Sequence, residues 1–289
     1  MREIPVFYHI PRCAGTFLKF NVMIPSLRKN HQKENDELKQ TNKEIPWCQL
    51  IRFDLNLDSS LVMPGKITFI VRTAMNKLFC PKFENTVTID KFKEYLEKDL
   101  VMIVGATINP IRGSFNQSVE LIEDFCKMSS CKPKYFTLMR DPFEWHNSFF
   151  HYLRDVGKWE PTYGFFENTT FKEYLTSEKI SDGWLIRNLN EIPNEKPLTE
   201  KDYEKAIEIL SNFEVGLYEN LPAFLNKLQD IFGFKAHDDS ERAKNENKLS
   251  RKAKRSEITK LEMETFTEKT KYDHKIYNYF KNKKLEEAK

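Results

Sequence analysis

The chain has 289 residues, 40% of them hydrophobic and 31% charged, a balance that suits a globular protein with a sizeable core. Its 46 basic and 43 acidic residues leave a net charge of only +3, which gives no reason to expect a nucleic-acid partner. No run of about eighteen apolar residues occurs, so no membrane span is expected.

The chain opens with an apolar run, "IPVFYHI" (Ile4 to Ile10), that reads as a buried strand, followed by a helical pattern from about Gly15 to Met23. A polar, lysine-rich stretch follows. "KITFIVRT" (Lys66 to Thr73) and "LVMIVGATI" (Leu100 to Ile108) are β-rich apolar runs, and "TIDKFKEYLEKD" between them has helical spacing. "SVELIEDFCKM" is helical, and "KPKYFTLMRDP" (Lys132 to Pro142) is a strand that Pro142 must end. "FEWHNSFFHYLRD" resumes a helical period.

From Phe171 onward the pattern is mostly helical, with "FEVGLYE" as one more short strand. "TEKDYEKAIEILSNF" and "NLPAFLNKLQDIFG" are helices, the second stopped by Gly233. "HDDSERAKNENKLSRKAKRS" reads as a charged loop, and "EITKLEMETFTEKTKYDHKIYNYFKNK" as one long final helix. Alternating strands and helices predict an α/β fold: a P-loop-like parallel sheet flanked by helices, with a mostly helical C-terminal part. No internal repeat or linker divides it, so residues 1–289 are expected to form a single domain.

Five scattered cysteines match no zinc pattern, and no metal is expected; reduced thiols in a cytoplasmic protein without a leader are. The oligomeric state is not legible.

The chemistry concentrates at two strand-to-helix corners. In open parallel sheets ligands sit beyond the carboxyl ends of strands, where helix N-termini present free N–H groups. The first corner is Pro11-Arg12-Cys13-Ala14-Gly15-Thr16. Its small residues admit close approach of an anion, Arg12 supplies a charge and Thr16 a hydroxyl. The loop is not a Walker A motif, because no lysine follows Gly15, and this counts against a nucleotide kinase. The second corner carries Arg140 at a strand end and Ser148 on the following helix, a guanidinium and a hydroxyl able to hold a second phosphate. Each feature also has an ordinary structural reading: a surface arginine on a turn, an Arg140–Asp141 ion pair, a helix-surface serine.

Together the two corners resemble the sulfotransferases that use 3′-phosphoadenosine 5′-phosphosulfate (PAPS). The opening loop, His9-Ile10-Pro11-Arg12-Cys13-Ala14-Gly15-Thr16, is similar to the H-I-P-K-T-G-G-T loop of the carbohydrate branch. Arg140, Asp141, Pro142 and Ser148, with Tyr152 nearby, match R-D-P-x-x-R-x-x-S-x-Y. Weaker similarity extends through "SDGWLIRNL", which carries Arg187, the basic segment with Ser250, Arg251 and Lys252, and the last helix; residues 24–98 are the least covered.

The resemblance implies transfer of a sulfuryl group from PAPS to a hydroxyl or amine of a glycan or small metabolite, releasing the 3′,5′-bisphosphate PAP. Arg12, Thr16 and the amides from Cys13 through Ala14 and Gly15 to Phe17 would neutralise the leaving 5′-phosphate. Arg140 and Ser148 would grip the 3′-phosphate, with Arg187, Ser250, Arg251 and Lys252 as further cofactor contacts. Two departures stand out. Arg12 replaces the usual lysine, keeping the charge but not a transferable proton. Ala106 follows Gly105 where many relatives carry a histidine base. His9 is the candidate base, with Asp54 and Asp58 as alternatives, and a non-catalytic PAP or glycan binder is the competing reading.

Overall fold

The computed structural model describes residues 1–10, 13, 18–23, 50–53, 69–70, 86–87, 101–105, 115–128, 130–155, 168–178, 180, 182–234 and 255–287. Its centre is a five-stranded, all-parallel sheet. The strands are β1 (Arg2–His9), β2 (Leu50–Phe53), β5 (Val101–Gly105), β6 (Cys131–Met139) and β7 (Glu214–Leu217), in the spatial order β2-β5-β1-β6-β7. Two further short strands, β3 (Phe69–Ile70) and β4 (Thr86–Val87), pair with each other antiparallel.

β1 is central, and both its faces are covered, as its nearly unbroken apolar run requires. Ile4, Val6, Tyr8 and Ile10 point to one layer, built from α1 (Phe115–Met128), α4 (Trp184–Asn190), α5 (Glu200–Ser211) and α8 (Lys271–Glu287). Phe7 points to the other, against the π-helical turn Leu18–Met23 and α6 (Leu221–Phe232). β6 alternates in the same way, with Tyr135 and Met139 on the first face and Phe136 and Leu138 on the second. A third apolar cluster joins α2 (Pro142–Asp155), α3 (Phe171–Thr176) and α7 (Lys260–Lys269) through Phe143, Phe150, Phe171, Tyr174 and Phe266.

The α/β class, the parallel sheet and the helical C-terminal part agree with expectation. Three features differ from expectation. The edge strand β2 comes from Leu50–Phe53, a four-residue run interrupted by Arg52 and too short to stand out as a period. Of the expected strand around Lys66–Thr73, the described residues are Phe69–Ile70, and they pair antiparallel with Thr86–Val87 and not with the parallel sheet. The long final helix is also not continuous. Thr259 starts α7 with a capping box to Glu262, and the chain breaks at Thr270 before α8 begins. The break is stabilised from outside the segment, because the Asp182 carboxylate accepts the Tyr272 N–H at 2.9 Å and the Asp273 N–H at 3.3 Å. The helical reading of residues 88–99 lies outside the described residues.

Gly216 in β7 shows how closely the second layer approaches the sheet. A Cβ placed there would meet ring atoms of the buried Phe224 at 2.3–2.6 Å. We expect Gly216→Ala to lower the thermal midpoint by several degrees, an overpacking cost of about 1–3 kcal/mol, and Phe224→Leu in the same chain to recover part of it. Unchanged melting in Gly216→Ala would contradict this packing.

Candidate functional site

The strand order determines where a ligand can enter. From β1 the chain passes to β2 at one edge, returns to β5 beside β1, then crosses to β6 on the other side of β1. The connections leaving β1 and β6 therefore diverge, and the carboxyl ends of these two strands flank the crevice where open α/β sheets bind ligands. The structure has a cleft there enclosing about 450 Å³ of empty space, part of it open to solvent.

Ile10 and Cys13 from the first corner and Met139 and Arg140 from the second form its floor. Trp145 and His146 of α2 form one wall. Trp184 and Leu185 of α4, with Asp273, Ile276 and Tyr277 of α8, close the other side. The two indoles are 5.7 Å apart and inclined at 33°, and Trp145 also stacks on Phe149. The surroundings are thus mainly apolar and aromatic, with a few convergent polar groups.

Arg140 leaves the end of β6 with its side chain only 8% exposed. Its guanidinium lies 4.5 Å over the Tyr218 ring and is 3.5 Å from the Glu144 carboxylate one helical turn on. Pro142 occupies the first position of α2, where its missing N–H costs nothing. Asp141 caps that helix by accepting the Glu144 N–H at 3.2 Å and also receives Arg255 Nη2 at 2.8 Å. Glu219 links this corner to the last helix: it accepts the Asp141 N–H at 2.9 Å and the Tyr277 hydroxyl at 2.9 Å. Arg255 is the described end of the basic segment and rests over Phe143 at 4.9 Å.

Of the expected site residues, Cys13 and Arg140 meet at this cleft. The Cys13 N–H turns back to the Ile10 carbonyl at 3.4 Å. Ser148 is buried on α2 and does not line the cleft, lying about 9 Å along the helix from Pro142. His9 is in register with Gly105, and its ring packs against Phe7 at 5.7 Å. Strand alternation puts it on the face opposite Ile10 and the cleft. Arg187 is 9% exposed and turned away, donating to the carbonyls of Asp182 at 2.8 Å, Pro193 at 2.6 Å and Lys196 at 2.8 Å. That places it as a brace for the segment after α4. Arg12, Ala14, Gly15, Thr16, Phe17, Ser250, Arg251 and Lys252 lie outside the described residues, as do Ala106, Asp54 and Asp58.

Two titratable groups of the cleft are displaced in opposite directions. Burial, aided by the nearby His274, holds His146 down at about 3, so its imidazole is neutral at physiological pH. Its Nδ1 is 2.7 Å from the Tyr174 hydroxyl, and its ring meets Phe266 edge-on. Burial, reinforced by the Asp182 charge, pushes Asp273 up to about 8 against the opposing pull of the Gly183 and Trp184 amides and Arg187. Asp273, Glu219, Tyr277 and Arg255 went unnoticed in the sequence. Asp273 sits at a helix start that becomes visible only once the final helix is broken at Thr270. Among the described residues, no group of three or more His, Cys, Asp or Glu side chains is arranged to hold a metal ion, and no helix is long and apolar enough to cross a membrane.

Comparison of the chain with protein-family models, with curated proteins and with solved structures found no match.

A histidine neutral in the fold but protonated in the unfolded chain favours unfolding as pH falls below its ordinary value of 6.5. The stability difference between the native chain and His146→Gln should therefore shift with pH, by roughly a hundredfold in the folding equilibrium between pH 7 and 4.5, the glutamine variant being relatively favoured in acid. Denaturant melts at the two pH values read this directly. A difference independent of pH would contradict a buried neutral His146.

Proposed function

We propose that the chain binds PAPS across the carboxyl ends of β1 and β6 and transfers its sulfuryl group to a hydroxyl or amine of a glycan or small metabolite, leaving PAP. The observation that carries this reading is the meeting of Cys13 and Arg140 in one cleft at the topological switch point. Two corners distant in sequence, each with the composition of an anion-binding loop, serve a single crevice. A ligand with phosphates at both ends fits that arrangement better than a single-phosphate nucleotide does. A P-loop-like sheet and a cytoplasmic location belong to the same proposal.

PAPS, when bound, supplies the activated sulfuryl group. Residues of the chain supply position and charge, as the loose in-line transfer of such groups requires. Arg140 is suited to a phosphate because its planar donors are held on the Tyr218 ring at the cleft floor, with Glu144 as a displaceable partner. Arg12 and Thr16 are assigned to the leaving 5′-phosphate on sequence grounds and Arg140 to the 3′-phosphate, while the buried Ser148 stands away from the cleft and is not carried into the proposal. Ser250, Arg251 and Lys252 precede Arg255, whose salt bridge to Asp141 ties the described end of the basic segment to the residue beside Arg140. The Trp145 and Trp184 indoles offer apolar faces for a ring. A PAP binder without turnover is the second reading, favoured by Ala106 in the place of a histidine base.

Calorimetric titration with PAP tests the proposal. We expect micromolar or tighter binding, weakened about 10- to 100-fold in Arg140→Ala, the loss of charge-assisted hydrogen bonds to one phosphate. Absence of PAP binding, or binding indifferent to Arg140→Ala, would overturn it. Transfer of labelled sulfate from PAPS to a glycan panel separates the enzyme from the binder.

A further inference from the structure

Sulfuryl transfer to a hydroxyl needs a group to receive its proton, and with Ala106 after β5 the usual histidine is missing. The cleft offers another. Two carboxylates cross where α4 and α8 begin. Asp182, just before α4, caps α8 through the Tyr272 and Asp273 amides. Asp273, in the first turn of α8, accepts the Gly183 N–H at 2.8 Å and so caps α4. Gly183 makes this possible: its φ of +67° is left-handed, and a Cβ there would lie 2.1 Å from Leu198 Cδ1. Each helix thus carries the other's cap, and Asp273 alone of the pair lines the cleft.

We infer that Asp273 is the general base of the cleft, receiving the proton of the acceptor; this rests on the sulfuryl-transfer reading above. As that proton passes to the carboxylate, a lone pair of the acceptor oxygen forms the new S–O bond. The old S–O bond to the 5′-phosphate breaks, its electron pair leaves on PAP, and Asp273 later returns the proton to solvent.

The competing groups are poorly suited. The Tyr277 hydroxyl is donated to Glu219, and burial makes it a weaker acid than usual. His146 is too weak a base once burial holds it neutral. It is 5% exposed and lines the cleft; with Nδ1 on Tyr174, its Nε2 has no hydrogen-bond partner among the described residues. It is therefore placed to hold an acceptor hydroxyl against Asp273. Among the described residues, the charges of Asp182, just before α4, and of Arg187, within it, act on Asp273, and Arg140 from the end of β6, His146 from α2 and Tyr277 one turn along α8 share its cleft. Asp182 raises the proton affinity of Asp273 and Arg187 lowers it. An oppositely displaced pair in one cleft is how a fold separates a base from a neutral donor at one pH.

The test uses the full chain, PAP for binding, and PAPS turnover with water as the acceptor probe. The native rate should rise with pH through a midpoint near 8, where Asp273 loses its proton. Tryptophan fluorescence, with the Trp184 amide on this carboxylate, should show the same midpoint without turnover. Asp182→Asn should keep its capping oxygen but move both midpoints to lower pH. Asp273→Asn, whose amide oxygen can still cap α4, should bind PAP within about threefold of the native chain and lose about 100-fold in turnover. Midpoints unmoved by Asp182→Asn, or turnover preserved in Asp273→Asn, would overturn the base while leaving PAP binding intact. PAP binding without any turnover above the uncatalysed rate would do the same. If Asp273→Asn does not fold, the Asp182→Asn shift decides alone. Failure of the native chain to bind PAP removes the donor reading and the base with it.

Discussion

The parallel pairing of β1 with β6 is the constraint on which the site depends. Seven consecutive residues, Arg2 to Tyr8, lie in register against Cys131 to Thr137, and the Thr137 hydroxyl adds a buried bond of 2.8 Å to the Tyr8 carbonyl. Both strands are buried on both faces, so a slip of one residue would exchange the side chains of the two apolar layers. With the register fixed, Ile10 and Arg140 must emerge side by side at the carboxyl edge. Because the chain leaves β1 toward the β2 edge and β6 toward the β7 edge, the connections after these two neighbouring strands part and leave a gap between them. The cleft is a consequence of topology before any side chain is considered.

What closes that gap is contributed late in the chain. α8 covers the sheet with Tyr272, Ile276, Tyr277 and Phe280, and its position depends on the break at Thr270. A continuous helix from Thr259 would not present its amides to Asp182. The break therefore does two things: it seats α8 on the first apolar layer and brings Asp273 into the cleft. Burying two carboxylates near each other is costly, and the structure offsets it with four backbone N–H groups and the Arg187 charge. The residual imbalance falls on Asp273. Glu219, shared between the Asp141 amide and the Tyr277 hydroxyl, then ties this helix to the corner that carries Arg140.

The sheet's middle was legible because its strands are apolar on both faces and end on punctuating residues. "IPVFYHI" is a strand because its apolar run is buried on both faces, and "KPKYFTLMRDP" ends as one where Pro142 starts the next helix. "FEVGLYE" and the Gly233 stop were legible by the same local rules. β2 was not, since four residues around Arg52 carry no period, and its place depends on pairing with β5. The α7–α8 break was hidden because Thr259 to Glu287 keeps good helix formers on both sides of Thr270, and the deciding cap, Asp182, is some 90 residues away in sequence. At the site, Arg140 was readable from its place at a strand end. The arginine at 187 was equally suggestive, yet its donors go to carbonyls, an allocation that only tertiary structure determines. Asp273 was invisible for the same reason as the break.

The most direct test of the central claim is a crystal structure of the chain with PAP. We expect one nucleotide across the carboxyl ends of β1 and β6, its 3′-phosphate within hydrogen-bond distance of the Arg140 guanidinium and its 5′-phosphate on the loop after Ile10. A nucleotide bound elsewhere, or the same cleft occupied with Arg140 still on Glu144 and no phosphate against it, would contradict the account.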